Sequence, residues 1–234
     1  RTDEKSGEKQ TKEGSEAESS ASLAKKAEKR EQLEMAMTVM LSIVLALAVF
    51  VALPFGLSLL LKDHIRSQAV LALIEGLIRL GLFIGYVYVI SFMQDINRVF
   101  MYHGAEHKAI NCVESGDDLT VLNVRKHSRY HKRCGTSFLF IVMLISIVLF
   151  MFLHFDSVWL RLLSRLLLVP VVAGISYEFI RLAGNSDAKI INILSKPGMF
   201  LQGLTTREPD DSMIECAIRA LELVIPEQKG SDTW

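Results

Sequence analysis

Residues 36–61 read AMTVMLSIVLALAVFVALPFGLSLLL, a run without a single Asp, Glu, Lys or Arg. An α-helix needs ~20 mainly apolar residues to cross the hydrocarbon core of a bilayer, so this run predicts a spanning helix. Pro54 places a kink near one end of it, where a membrane helix tolerates one. Three further runs follow. Residues 67–94 are apolar apart from Glu75 and Arg79, which lie four apart on one helix face and can pair. Residues 137–153 (SFLFIVMLISIVLFMFL) carry no charge, and residues 158–183 carry Arg161 and Arg165 in one half and Glu178 and Arg181 near the other end. One such run would suit the core of a large soluble protein. Four in 234 residues predict an all-α, polytopic membrane protein with four transmembrane helices and a cytoplasmic helical loop.

The average composition hides this. Lys plus Arg and Asp plus Glu both number 26, half of the residues are hydrophobic and 22% are charged. Those figures exclude a disordered chain, a disulfide scaffold and a strongly basic nucleic-acid binder. Read by segment, residues 1–34 are rich in Glu, Lys, Ser and Gly with almost nothing to bury, and predict a disordered charged tail. Residues 35–183 form the membrane domain, including a loop at 95–136, and 184–234 form a C-terminal helical segment. There Ser212 and Glu215 make a capping box ahead of a stripe of Ile214, Ala217, Ile218, Leu221 and Val224, stopped by Pro226. That stripe reads as a small amphipathic helix docked on the cytoplasmic face or the bilayer surface.

Thirteen Lys and Arg residues flank the spans on one side and four on the other. The positive-inside rule then places both termini and loop 95–136 in the cytoplasm of a multi-pass cell-membrane protein. Cys112, Cys134 and Cys216 would stay reduced there. The chain shows no secretory signal pattern and opens on Arg, which reads as a processed chain or a fragment.

Loop 95–136 holds four of the six histidines. Its first half predicts a helix, drawn as a direct continuation of the second span, on which His103, Glu106 and His107 spell H-x-x-E-H. Positions i, i+3 and i+4 share a face. Two imidazoles at that spacing can hold a divalent metal ion, Zn²⁺ by preference, with Glu106 as general base toward its bound water. This is the reversed zincin pattern of the inverzincins, which add a carboxylate well downstream; Glu178 is the candidate, as an ionisable group within a span. His127, His131 and Cys134 follow at i, i+4 and i+7 and would share a face if helical. Against these stand plainer readings. The stretch NVRKHSRYHKRC (123–134) also suits a polybasic collar on anionic lipid headgroups, which is the reading for His127 and an equal alternative for His131 and Cys134. Glu178 can simply pair with Arg181, and Cys112 suits a packed residue.

The segments HGAEHKAINCVE (103–114), LTVLNVRKHSRYHKRCGTSFLFIVMLIS (119–146) and LTTREPDD (204–211) together resemble the bacterial DUF1385 family of membrane proteins, over roughly residues 35–228. The resemblance implies a metal-dependent enzyme and is carried by His103, Glu106, His107, His131, Arg133, Cys134 and Gly135. The position of His127 is looser in that pattern. A Gly-rich N-terminal segment with a V-M-M-R element, found in family members, does not occur in this chain.

Two functions follow from these residues. In the first, an integral-membrane metal-dependent hydrolase binds a divalent ion, Zn²⁺ or similar, through His103 and His107. Glu178, or His131 and Cys134, complete the shell. Glu106 is the base, and Arg133 or Arg181 stabilises the oxyanion. In the second, a non-enzymatic membrane factor uses a closed His/Cys site structurally and docks lipid, RNA or another membrane protein. Four protein ligands would close a tetrahedral site, whereas three leave a position open.

Overall fold

The computed structural model describes residues 3–225 apart from 154, 156 and 187, and every regular element among them is helical. The chain divides into two units, residues 1–53 and 54–234.

The first unit is one long helix, α1 (Asp3–Leu47), passing into a π-helical turn at Ala48–Ala52. Segment 3–34 forms the first part of this helix. Ala, Glu and Lys are good helix formers, and the Arg30–Glu34 ion pair (2.8 Å) has the i, i+4 spacing that supports such a helix. The π turn is the local consequence of Pro54. Proline has no N–H and crowds the preceding turn. Just before it the ladder widens, so that Leu53 N–H donates to the carbonyl of Ala48, five residues back.

The second unit begins within α2 (Leu53–Leu61) and continues through α3 (Gln68–Ile90), α4 (Gln94–Glu114), the single turn α5 (Val121–Val124), α6 (Gly135–Phe152), α7 (Val158–Asn185), α8 (Lys189–Thr205) and α9 (Asp211–Glu222). Four helical stretches are long and apolar enough to cross a membrane: Lys25–Leu61, Gln68–Ile90, Gly135–Phe152 and Trp159–Asn185. These are the four runs read from the sequence. Helix α6 packs against α3, α7 and α8, and Gly76 of α3 lets Ile147 of α6 approach its backbone. An added Cβ at Gly76 would overlap the Ile147 side chain.

Three expectations change. Helix α4 is not a continuation of the second span, because the chain breaks at Ser91–Met93. The Ser91 hydroxyl donates back to the Tyr88 carbonyl (2.7 Å), and Met93 is extended (ψ 132°) before α4 restarts. The stretch 125–134 is not helical, so His127, His131 and Cys134 share no helix face. The last helix is capped by Asp210, whose carboxylate accepts the Met213 N–H (3.0 Å), rather than by Ser212. Ser212 instead donates to Asp210 (2.6 Å). Pro226 lies outside the described residues.

Helix α9 docks as its stripe predicts, onto protein. Met213, Ile214 and Ile218 bury against Ala105, Ala109 and Cys112 of α4 and Val124 of α5. The small residues at i, i+4 and i+7 give α4 a flat face for α9. With that face occupied, the histidines of α4 are turned toward α8 and the loop before α6.

Candidate metal centre

His103 and His107 lie one turn apart on α4, with ring centroids 4.3 Å apart. Cys134, the residue ahead of α6, brings its sulfur to 3.3 Å from His103 Nε2. The ligand atoms of His103, His107 and Cys134 all lie within 4.8 Å of one another. A tetrahedral ion with Zn–N near 2.0–2.1 Å and Zn–S near 2.3 Å holds its nitrogen and sulfur ligands about 3.6 Å apart. The cluster therefore needs little adjustment to take one.

The outer contacts of the two histidines fix which nitrogen faces inward. His103 Nδ1 lies 2.8 Å from the Thr205 carbonyl and His107 Nδ1 lies 2.7 Å from the Arg129 carbonyl. A carbonyl only accepts, so each Nδ1 carries the proton and each Nε2 is directed at the cluster. This is the usual outer arrangement of metal-binding histidines.

The sulfur is suited to ligation as well. Burial of Cys134 favours the neutral thiol, but hydrogen bonds from His103, His107 and Thr136 outweigh it and bring the pKa from 9.0 down to about 5. The same bond to Cys134 is the main cause that raises the His103 pKa, against the opposing effect of burial. The two shifts both favour an imidazolium beside a thiolate when no metal is bound. The proton between them is the one a metal ion would displace.

The other sequence candidates fall differently. His131 is buried, with its ring centroid 5.9 Å from that of His107, but both nitrogens are engaged. Its Nδ1 accepts the Arg133 N–H (3.3 Å), so Nε2 bears the proton and donates to Glu114 (3.1 Å). No lone pair is left for a ligand. Glu178 is 65% exposed and pairs with Arg181 at 3.4 Å; the plainer reading describes it, and it is outside the ligand group. The part of α7 that reaches the site is its end, where the Arg133 side chain lies across Gly184 and donates to Asn185 (3.4 Å). His127 pairs with Asp117 (2.9 Å) and Arg125 with Asp211, so these members of the basic stretch meet carboxylates of the protein itself. Cys112 is a packed residue whose thiol is pushed up by burial.

Glu106 is exposed on the same turn as the two histidines. With Arg133, Glu114 and the three ligand residues it lines a cleft of about 280 Å³. His103, Glu106 and Ile110 also line a second, largely apolar groove of about 710 Å³ running between α4 and α9.

Several residues that build the site carry no motif of their own. Gln202 of α8 is fully buried, accepts the His131 N–H (2.9 Å), and donates to the His131 carbonyl (2.7 Å) and the Ser137 hydroxyl (2.6 Å). It clamps the irregular stretch to the start of α6, which sets where Cys134 lies. The segment 204–211 crosses α4 at Gly104, where Arg207 N–H donates to the Phe100 carbonyl (2.8 Å) and the Arg207 carbonyl sits where a Cβ on Gly104 would be. Glu208 pairs with the buried Lys108 across the same junction.

These are the three segments that carry the family resemblance, and the comparison agrees: residues 8–227 match the family described as "Protein of unknown function (DUF1385)". The chain belongs to the DUF1385 family. A relative in Bacillus subtilis (strain 168), "Uncharacterized protein YqhQ", is 39% identical over 189 residues, covering 80% of this chain and 59% of the relative. The chain therefore spans about three fifths of that relative's length. No solved structure matches it. Within this DUF1385 chain, H-G-A-E-H supplies two of the three clustered side chains, the exposed carboxylate and the glycine under the crossing segment, and R-C-G supplies the third, Cys134.

Proposed function

We propose that this DUF1385 chain is a membrane-embedded, metal-dependent hydrolase whose site is His103, His107 and Cys134. The observation that carries the reading is the number of ligands. Three protein donors converge, and the fourth candidate, His131, has both nitrogens engaged. Catalytic zinc sites keep three protein ligands and an open position, while structural sites close with four. A divalent ion held there, Zn²⁺ by its preference for imidazole and thiolate, supplies Lewis acidity and brings the pKa of a water toward neutrality.

The chain's own residues supply the rest. Glu106, beside both histidines and open to the cleft, takes the proton from the attacking water. Arg133, held across Gly184, turns its guanidinium toward the charge that develops on the substrate oxygen. Cys134 adjoins the first residue of a helix apolar enough to span, which supports a site at the membrane interface. The basic residues favour the cytoplasmic side. The adjoining apolar groove suits a peptide or lipid substrate with an apolar part.

Metal content of the purified protein is the test. One equivalent of zinc is expected in the parent, in Glu106→Gln and in His131→Ala, with loss in His103→Ala, His107→Ala and Cys134→Ala. Glu106→Gln should keep the metal and lose turnover of peptide or ester substrates. A metal-free parent would sink the proposal. Zinc coordination by four protein ligands, read by X-ray absorption, would instead make the site structural.

A further inference from the structure

A second cluster of charged side chains lies away from the metal centre, where α3 and α7 begin. Glu75 of α3 is buried and is shared by two arginines. Arg165 of α7 approaches it with both terminal nitrogens, Nη2 at 2.6 Å, and Arg79 reaches it at 3.0 Å. The Ser58 hydroxyl also donates to Glu75, at 3.4 Å. The Glu75–Arg79 pair read from the sequence is therefore part of a larger group that ties two spans together.

Two features of this group exceed what a structural ion pair needs. Arg165 Nε is buried and, among the described residues, has no hydrogen-bond partner. Arg161, one turn earlier on α7, meets only neutral acceptors among the described residues, Gln68 Oε1 at 3.0 Å and the Phe155 carbonyl at 3.5 Å. Both guanidiniums stand against the Phe55 ring, 6.0 and 5.4 Å from its centroid. Within helices of this hydropathy an under-compensated cation is costly and marks a binding function by default.

Both arginines line a cavity of about 20 Å³ together with Gln68, Glu75 and Ser164. A space of that size admits roughly one oxygen atom, so an anion would insert a single oxygen and leave its body outside. The N-terminal ends of α3 and α7 meet here, and their dipoles favour negative charge as well. Gln68 is the first residue of α3 and Arg161 the fourth of α7. That is the depth at which a spanning helix leaves hydrocarbon for the headgroup layer, where the phosphates of the lipids lie.

We propose that Arg161 and Arg165 form a binding site for the phosphate group of an anionic phospholipid, one phosphate oxygen entering the cavity between α3 and α7. The full chain, purified in a non-ionic detergent, would be titrated with phosphatidylglycerol, diacylglycerol and inorganic phosphate, and binding read by native mass spectrometry. Phosphatidylglycerol should bind the parent and diacylglycerol should not. Arg161→Gln should weaken the lipid about tenfold or more, as expected for a lost charge-assisted contact, and Arg161→Lys should weaken it less. Ser164→Leu fills the cavity without altering charge and should also weaken binding, which keeps the test decisive if Arg161→Gln fails to fold. Parent-like affinity in both Arg161→Gln and Ser164→Leu would overturn the site. Equal binding of diacylglycerol would overturn the role of phosphate, and inorganic phosphate binding as tightly as the lipid would overturn the lipid as its source.

Discussion

Replacing Gly104 by alanine separates helix propensity from tertiary structure, because the two predict opposite signs. Gly104 lies in the interior of α4, and Gly→Ala inside a helix ordinarily stabilises by ~1 kcal/mol. Here the added Cβ would overlap the Arg207 carbonyl, a backbone atom that cannot turn aside. Segment 205–207 would have to lift from α4. Lifting it strains or breaks the Arg207 N–H bond to Phe100 and the His103 Nδ1–H bond to Thr205, both 2.8 Å. Overpacking of this kind costs ~1–3 kcal/mol, and each hydrogen bond contributes ~0.5–1.5 kcal/mol. Against the ~1 kcal/mol gained in propensity, the net is a destabilisation of about 1–5 kcal/mol, centred near 3 kcal/mol. If the damage falls mainly on the arrangement of His103, zinc affinity should drop on the order of 100-fold, at 1.4 kcal/mol per decade. The assay is thermal unfolding in detergent, paired with zinc affinity by competition with a chelator. Gly85→Ala is the control, since nothing lies within 4 Å of a Cβ there. A Gly104→Ala protein as stable as the parent, with zinc affinity unchanged, would refute the crossing of segment 205–207 over α4.

Three further outcomes are expected. In metal-free protein the Cys134 thiolate, followed by its ultraviolet absorbance, should titrate near pH 5, and His103→Ala should move that midpoint up toward the ordinary thiol value. Both donors must be deprotonated to bind metal. Zinc affinity should therefore fall as the pH drops through the raised His103 pKa, which lies above 6.5. It should fall more steeply as Cys134 protonates near 5, and an affinity rising below pH 6 would contradict this. Gln202→Leu should destabilise by roughly 3 kcal/mol or more, because it strands the buried His131 N–H and carbonyl and the Ser137 hydroxyl, each costing ~1–3 kcal/mol. Denaturant unfolding measures it, and a change below ~1 kcal/mol would show that the clamp is dispensable.

The parts legible in the sequence are those set by local rules. Residues 36–61, 67–94, 137–153 and 158–183 announce helices long enough to span through length and hydropathy alone, and the structure places such helices at all four. His103 and His107 share a face because α4 is a regular helix, so spacing suffices. The same rule fails at 125–134, where the backbone is irregular and spacing says nothing about direction. His131 and Cys134 looked equivalent in sequence, yet one has its nitrogens taken by Arg133 and Glu114 while the other faces the two histidines. Glu178 looked like a distant ligand because a lone carboxylate in an apolar run draws attention. Its partner was three residues away on its own helix. The reverse occurred at Glu75, where a visible i, i+4 partner concealed the tighter one, Arg165, on another span.

By itself, then, the sequence determined the helical class, the four apolar helices and one pair of imidazoles, since hydropathy and a 3.6-residue period are properties of consecutive residues. Tertiary structure alone decided which cysteine joins the two imidazoles, the tautomer of each histidine and the exclusion of His131 from the group. Those depend on atoms far apart in the chain, namely the Thr205 and Arg129 carbonyls behind the rings, Gln202 holding the loop, and the Arg207 carbonyl resting on the one residue of α4 that has no Cβ to refuse it.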